Sequence, residues 1–454
     1  MSDINGQDAE IAYELGRAGA VRPFALTQSE RRVESKETVV VKASNAPGPM
    51  DAPGFWLDEP SHRRFLAADA RAQLDLFRAC HCGDDTIAAL DRSGSPLPDA
   101  PQELHAVTRF VHSYALGQIA GYPSAEALVD AGISALWNHR DPQHGGYVWA
   151  LQADAITDDA KLAYGHAFVL LAASTAMIAR HDDAQKLFDD VTDVIETRFW
   201  DESAGMMREE FRRDWSTFST YRGMNANMHT TEAMLAAFEA TGDDKWLIRA
   251  GRILSFLTGQ VAPAHDWRLP EHYTGDWQVD REYSGNPMFR PAGTTPGHSF
   301  ELGRLLIQYW DLAGRPDAET PCTARRLIET ALQDAWRADG GFVYTLSHGG
   351  AVDISDRYWW PVTEAIGALA TLIKLNPQEN DEAWYRRIWL FAAQHFIDAN
   401  NGGWIPEIGQ NGRPTEEQFI GKPDIYHALQ ADLFSLAGGL SQLPRSLTGC
   451  LDSA

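Results

Sequence analysis

Cysteine is scarce: Cys80, Cys82, Cys322 and Cys450 are the only four in 454 residues. They are too few and too scattered for a disulfide framework, which favours a reducing compartment. Cys80 and Cys82 flank His81, but no second Cys or His pair stands at ligand spacing, so both read as ordinary core and surface thiols. Positive charge is also short. Lys and Arg number 39 against 63 Asp and Glu, a net charge of −24, which repels phosphate backbones and anionic lipid and argues against nucleic-acid and membrane partners. No uncharged apolar run reaches membrane-spanning length, and the N-terminus lacks a basic start followed by an apolar stretch, so the expected location is cytoplasmic. A Rossmann fingerprint is missing, as are the His-x-x-x-His and Glu-x-x-His patterns of well-attested metal sites; the expectation is no metal and no cofactor. Oligomeric state is not legible, and a homo-oligomer stays open.

What is present is a large, ordinary core composition, 44% hydrophobic and 22% charged. Residues 1–52 mix charges with Ala, Asn, Gly and Pro and read as an N-terminal extension, with a short strand at Val39–Val41 and a linker at Ala46–Gly54. From Phe55 onward two kinds of helical segment alternate. Ser124–Trp137, Asp183–Trp200 and Glu382–Asp398 are amphipathic and suit an exterior. Ala167–Ala179 and Ile366–Ile373 are apolar nearly all round and belong inside. Gly-containing turns with aromatic or β-branched flanks follow several outer segments, at Asp141, Asp201, Ala338 and Asn400, and read as small hairpins. Arg109, His166, His229, His298, Trp360 and His427 then recur at inner-helix starts in near-equal steps of roughly sixty residues. The layering predicts an all-α fold, an (α/α)6 barrel over residues 53–445 with short β-hairpins at one mouth and a tail at 446–454.

In a toroid, inner helices converge, so first-turn side chains distant in sequence share one funnel. His229 and Glu232, and His298 and Glu301, form two His-x-x-Glu pairs on single helix faces, where Glu would keep the imidazole basic for general-base work near neutral pH. Competing readings are capped or core histidines, which fit His166 best, and a metal site. Trp359 and Trp360 precede Pro361 at a helix start, where an indole can stack on a sugar ring or simply pack. Glu364 shares a face with Trp360 and is placed to meet a hydroxyl or a neighbouring His. Arg109 lies one turn into the first inner helix and should be paired or ligand-facing, with donors suited to negative charge on sugar oxygens. The long irregular stretch His265–Pro296, with Trp267, Trp277, Tyr283 and Phe289, reads as a lid.

At YRGMNANMHTTEA (Tyr221), TPGHSFELGRLL (Thr295), RYWWPVTEA (Arg357) and KPDIYHALQA (Lys422) the sequence resembles the N-acylglucosamine 2-epimerase superfamily, over about residues 55–440. The resemblance implies an (α/α)6 barrel and a sugar isomerase or epimerase that needs no metal or nicotinamide. It implies His298 and His427 as the acid/base pair, His229 in ring opening, and Arg109 as an oxygen ligand. Glu232, Glu301 and Glu364 would be supports, and Asn225, Met228, Trp359, Trp360 and Asp424 substrate contacts. The motif set looks nearest the mannose and sulfoquinovose isomerase branch, implying a monosaccharide substrate and interconversion of mannose and fructose through a cis-enediolate. A sugar 2-epimerase or sulfoquinovose isomerase is the alternative; Arg290, Arg357 and Lys422 are candidates for an anion site. A glycoside hydrolase would need two carboxylates across a scissile bond, and a non-catalytic carbohydrate-binding protein would need only the tryptophans.

Overall fold

The structure is a computed structural model that describes residues 46–49, 52–83, 85–153, 155–283 and 285–452. Val39–Val41 and most of the expected extension lie outside them. In chain order the helices are α1 (Pro60–Phe77), α2 (Leu104–Ile119), α3 (Ala125–Asn138), α4 (Ala163–Ile178) and α5 (Ala184–Val194). They continue with α6 (Met224–Thr241), α7 (Asp244–Leu254), the single turn α8 (Ala262–Ala264), α9 (Pro296–Leu312) and α10 (Glu319–Ala335). The last are α11 (Trp359–Leu375), α12 (Glu379–His395), α13 (Tyr426–Leu436) and α14 (Leu443–Leu447).

Two rings follow from the pattern of side chains. Helix α4 reads AYGHAFVLLAASTAMI and buries nearly every residue, so it has no solvent face to offer. Helix α5 turns Leu187, Phe188, Val191 and Val194 inward and leaves Lys186, Asp189 and Asp193 exposed. Packing makes the same division throughout. The inner helices touch in sequence, α2 to α4, α6, α9, α11 and α13, and α13 returns to α2. Each outer helix backs one of them: α3 on α2, α5 on α4, α7 on α6, α10 on α9, α12 on α11, and α1 on α13. This is an (α/α)6 barrel, and no helix is long and apolar enough to cross a membrane among the described residues.

The four expected hairpins form, as a bridge between Arg140 and Tyr147, the strands Trp200–Asp201 and Met206–Met207, and bridges Trp336 to Phe342 and Ile397 to Trp404. A further set of pairings joins neighbouring repeats. The segment leading into each inner helix pairs with the hairpin arm of the next repeat: Glu103 with Ala150, Leu162 with Glu210, Gly223 with His272, Thr294 with Leu346, and Tyr358 with Glu407. The last step closes when Lys422 N donates to Leu90 O at 3.0 Å. The result is a crown of short pairings on the rim where the inner helices begin.

The stretch His265–Pro296 is fastened into this crown. His272 and Tyr273 pair with Gly223 and Arg222, Pro270 bridges to Thr294, and Trp277 packs on Phe256 and Tyr273. At the other end of the chain, Leu451 is buried and its N–H donates to Ala120 O at 2.7 Å, while Arg71 Nη2 donates to Asp452 O at 2.7 Å. Residues through 452 therefore lie against α1 and α2.

Candidate active site

His298 and His427 enter the mouth from the first turns of α9 and α13. His298 Nδ1 lies 2.9 Å from Glu271 Oε1, and His427 Nδ1 lies 2.7 Å from Glu364 Oε1. A carboxylate only accepts, so each Nδ1 donates, which leaves Nε2 of a neutral ring to present the lone pair. Neither Nε2 has a partner among the described residues, and the side chains keep 12% and 7% of their surface open. One indole touches both rings: Trp360 stands 5.1 Å from His298 and 5.9 Å from His427 between centroids, tilted 33° and 36°. Trp359 packs edge-on against Phe419 and His427 and is buried.

His229 sits deeper, walled by Tyr164, Phe168 and Tyr426. Its Nδ1 is 3.5 Å from Glu232 Oε2 and 3.4 Å from Glu301 Oε1. Burial pushes its pKa down to about 4 despite the hydrogen bond it donates to Glu232's carboxylate, so the imidazole is neutral at working pH. That corrects the expectation of a basic His229: desolvation outweighs the neighbouring acid. Tyr426 Oη donates to Glu232 Oε2, and Gln430 Nε2 donates to Glu232 Oε1 at 3.3 Å.

Arg109 is paired. Its Nη1 donates to Asp424 Oδ2 at 2.7 Å and its Nη2 to Tyr164 Oη at 2.9 Å, with Phe168 and Tyr426 stacked on the guanidinium. Burial opposes its charge, but Asp424 and the two tyrosines outweigh it. Asp424 is thus first an anchor for Arg109, and it also accepts from Tyr426 N at 3.0 Å.

His229, Glu232 and Glu301 bring ligand atoms within 4.8 Å of one another, a spacing that suits a divalent cation. Arg304 already supplies positive charge there, with Nη2 4.0 Å from Glu232 and 3.9 Å from Glu301. The oxygens that could meet a cation therefore already face the Arg304 guanidinium. His166 is structural: Nδ1 bonds Leu162 O at 2.8 Å and Nε2 accepts from Tyr147 N at 3.0 Å.

Two further expectations are corrected. Glu301 does not support His298, because it lies instead against His229 and Arg304, and Glu271 from the crown takes its place. Met228 has no exposed surface and belongs to the core rather than to the sugar-facing wall. Asn225 is half-buried at the start of α6, with Oδ1 unpartnered. The sequence reading missed Glu271, Arg304 and Tyr426. Arg304 carried a signal, a cation one turn beyond Glu301 on an otherwise apolar inner helix; Glu271 carried none.

The three candidate anion-site cations are committed elsewhere. Arg290 pairs with Glu210 at 2.7 Å, Arg357 donates to Gly340 O and Gly409 O, and Lys422 donates to Asp398 at 2.7 Å.

The N-acylglucosamine 2-epimerase (GlcNAc 2-epimerase) model matches residues 86–431. The chain belongs to this family. Similar members include a D-mannose isomerase of Thermobifida fusca, 41% identical over 405 residues that cover 87% of this chain and 98% of that one. Another, from Pseudomonas cannabina pv. alisalensis, is 38% identical over 404 residues, 87% of this chain and 97% of its own. Among solved structures, a D-mannose isomerase superposes with a TM-score of 0.78 at 30% identity, covering 82% of this chain and 97% of that one. The family match spans every inner-helix start, so His298, His427 and Trp360 all lie within it.

Proposed function

We propose that this family member is an aldose–ketose isomerase that interconverts mannose and fructose. The observation that carries the reading is the pair of imidazoles, His298 and His427, each with Nδ1 held by a buried carboxylate and Nε2 free, on one indole. The reaction needs an open-chain sugar, because only the free aldehyde makes the C2 hydrogen acidic. His229, neutral and beside Arg109 and Tyr164, is placed to relay the ring-opening proton. One free Nε2 removes the C2 proton, and the protonated partner and Arg109 stabilise the cis-enediolate. Moving the hydroxyl proton from O2 to O1 and delivering the abstracted proton to C1 gives the ketose.

A neutral sugar is favoured over a sulfonated one because Arg290, Arg357 and Lys422 are already neutralised or spent on backbone carbonyls. The carboxylates of the site are bonded to histidines or arginine, which does not suit the acid and base of a hydrolase.

The test is incubation with mannose in deuterated water, with products and label position read by NMR. Fructose labelled at C1 is expected, and His298→Ala and His427→Ala should each abolish it. Glucose labelled at C2 would make the enzyme an epimerase, and full turnover by either variant would remove that histidine from the mechanism.

A further inference from the structure

The two imidazoles rest on unequal foundations. His298 leans on Glu271, which has no ion pair with Arg304. Glu364, behind His427, shares Arg304 with two other acids: Nη2 lies 3.5 Å from Glu364 Oε2, 3.9 Å from Glu301 Oε1 and 4.0 Å from Glu232 Oε1. Arg304 is 2% exposed and its guanidinium lies over Phe434 at 4.2 Å. Every inner helix contributes a titratable group to this hub: Arg109 and His112 from α2, Tyr164 from α4, His229 and Glu232 from α6, Glu301 from α9, Glu364 and, farther down, Lys374 from α11, and Tyr426 and His427 from α13.

Three acids around one guanidinium cannot all stay ionised in a dry interior. Burial, with Glu364 and Glu232 nearby, drives Glu301 well above the usual carboxyl range, and neither of its oxygens completes a hydrogen bond. Glu364 goes the other way. Burial opposes its charge, but the His427 hydrogen bond and Arg304 hold it below the usual range.

Resting on the isomerase reading, we propose that Arg304 is a positioning residue for proton transfer: by facing Glu364 Oε2 it keeps Glu364 an acceptor for His427 Nδ1–H, and so fixes His427 Nε2 as the lone pair that meets the sugar. If Glu364 took up a proton it could donate to Nδ1, and the ring hydrogen would move to Nε2, where it blocks proton abstraction. Removing the guanidinium charge raises the proton affinity of every acid around it. The acid limb of the rate profile must then move to higher pH.

The test compares Arg304→Met, which keeps the apolar stem, with Arg304→Lys, which keeps the charge, in the full chain. Two readouts are taken: the pH dependence of kcat with mannose, and imidazole ¹⁵N NMR, which needs no turnover. For Arg304→Met the acid limb should rise by about one pH unit or more. The His427 nitrogens should leave the Nδ1–H pattern near neutral pH while those of His298 stay put. Arg304→Lys should restore most of both effects. A folded Arg304→Met whose acid limb and His427 signals match the wild type would overturn the proposal, as would Lys and Met variants that shift equally, which marks a packing role. Arg304→Gln replaces Met if that variant fails to fold. If the wild type does not turn over mannose, the isomerase reading fails while the NMR arm still decides the role of Arg304.

Discussion

The indole of Trp360 occupies the space a side chain on Gly297 would need: a Cβ built there would lie 2.2 Å from Trp360 Cζ3 and 2.5 Å from Cη2. Gly297 immediately precedes His298 on the first turn of α9, so its bareness lets the indole close on the imidazole. Gly297→Ala must displace one or the other. A shift of about 1 Å at a reacting group costs on the order of 10²-fold in rate, and overpacking costs about 1–3 kcal/mol. We expect kcat/KM to fall by about that factor with a modest loss of Tm, checked by steady-state kinetics and thermal melting.

Glu271 and Glu301 should behave oppositely when made neutral. Glu271→Gln removes the charge and puts an amide that can donate as well as accept opposite Nδ1, so the His298 tautomer is no longer fixed, and a drop of about 10²-fold or more in kcat is expected. Burial and its acidic neighbours already push the Glu301 carboxyl well above the usual carboxylate range. Glu301→Gln therefore changes little charge, and kcat should fall a few-fold at most. The ratio of the two kcat values decides whether the helix-face partner or the crown partner serves His298.

His229 should stay silent on titration. Burial puts it at about 4, far below the ordinary imidazole value of 6.5, so its ring signals should not move across roughly pH 5.5 to 8. Below that range, acid must charge a buried ring. A lowered histidine contributes stability above its ordinary value and loses it as pH falls toward the folded value. Proton-detected NMR of labelled histidine gives the answer directly.

A second acidic pair closes the barrel seam. Gln73 Nε2 on α1 donates at 2.8 Å both to Asp69 Oδ2 and to Asp432 Oδ2 on α13, and Trp404 Nε1 donates to Asp69 at 3.3 Å. Burial raises both carboxyls, and for Asp432 the charge of Asp69 adds to it. Their stabilisation is complete below the ordinary aspartate value of 3.8 and is lost as pH rises through the higher folded values. Asp432→Asn should thus raise Tm at pH 7 by about 2 °C or more and flatten its fall between weakly acidic and neutral pH. A lower Tm at pH 7 would mean the aspartate is ionised and needed.

The barrel was legible because its signal is global. Rings of helices need faces, and the all-apolar AFVLLAASTAMIA beside an amphipathic neighbour has one way to layer. The recurrence of His229, His298 and His427 at helix starts pointed to one mouth, and of the two partners left open for Glu364, a hydroxyl or a neighbouring His, its Oε1 meets His427. Partners across repeats were not legible. Helix spacing offered Glu301 to His298, yet Glu271 reaches it from between the Pro270 bridge and the His272–Tyr273 strand, where its carboxylate also accepts from Thr295 N at 3.1 Å at the N-terminus of α9. That contact depends on the pairing of Pro270 with Thr294, which leaves no periodic trace. Met228 failed for the opposite reason: it sits one residue before His229, and a 100° turn along a helix carries it from the funnel into the core.

The closure of the ring has a consequence in time. Gln73 and Asp432 meet across 359 positions of chain, so the seam is among the most non-local contacts in the molecule, and such contacts form late. His427 rides on α13, the helix that makes this seam. During refolding, helical signal should therefore recover first and turnover only when the circle shuts, which makes enzymatic activity a clock for the last step of folding.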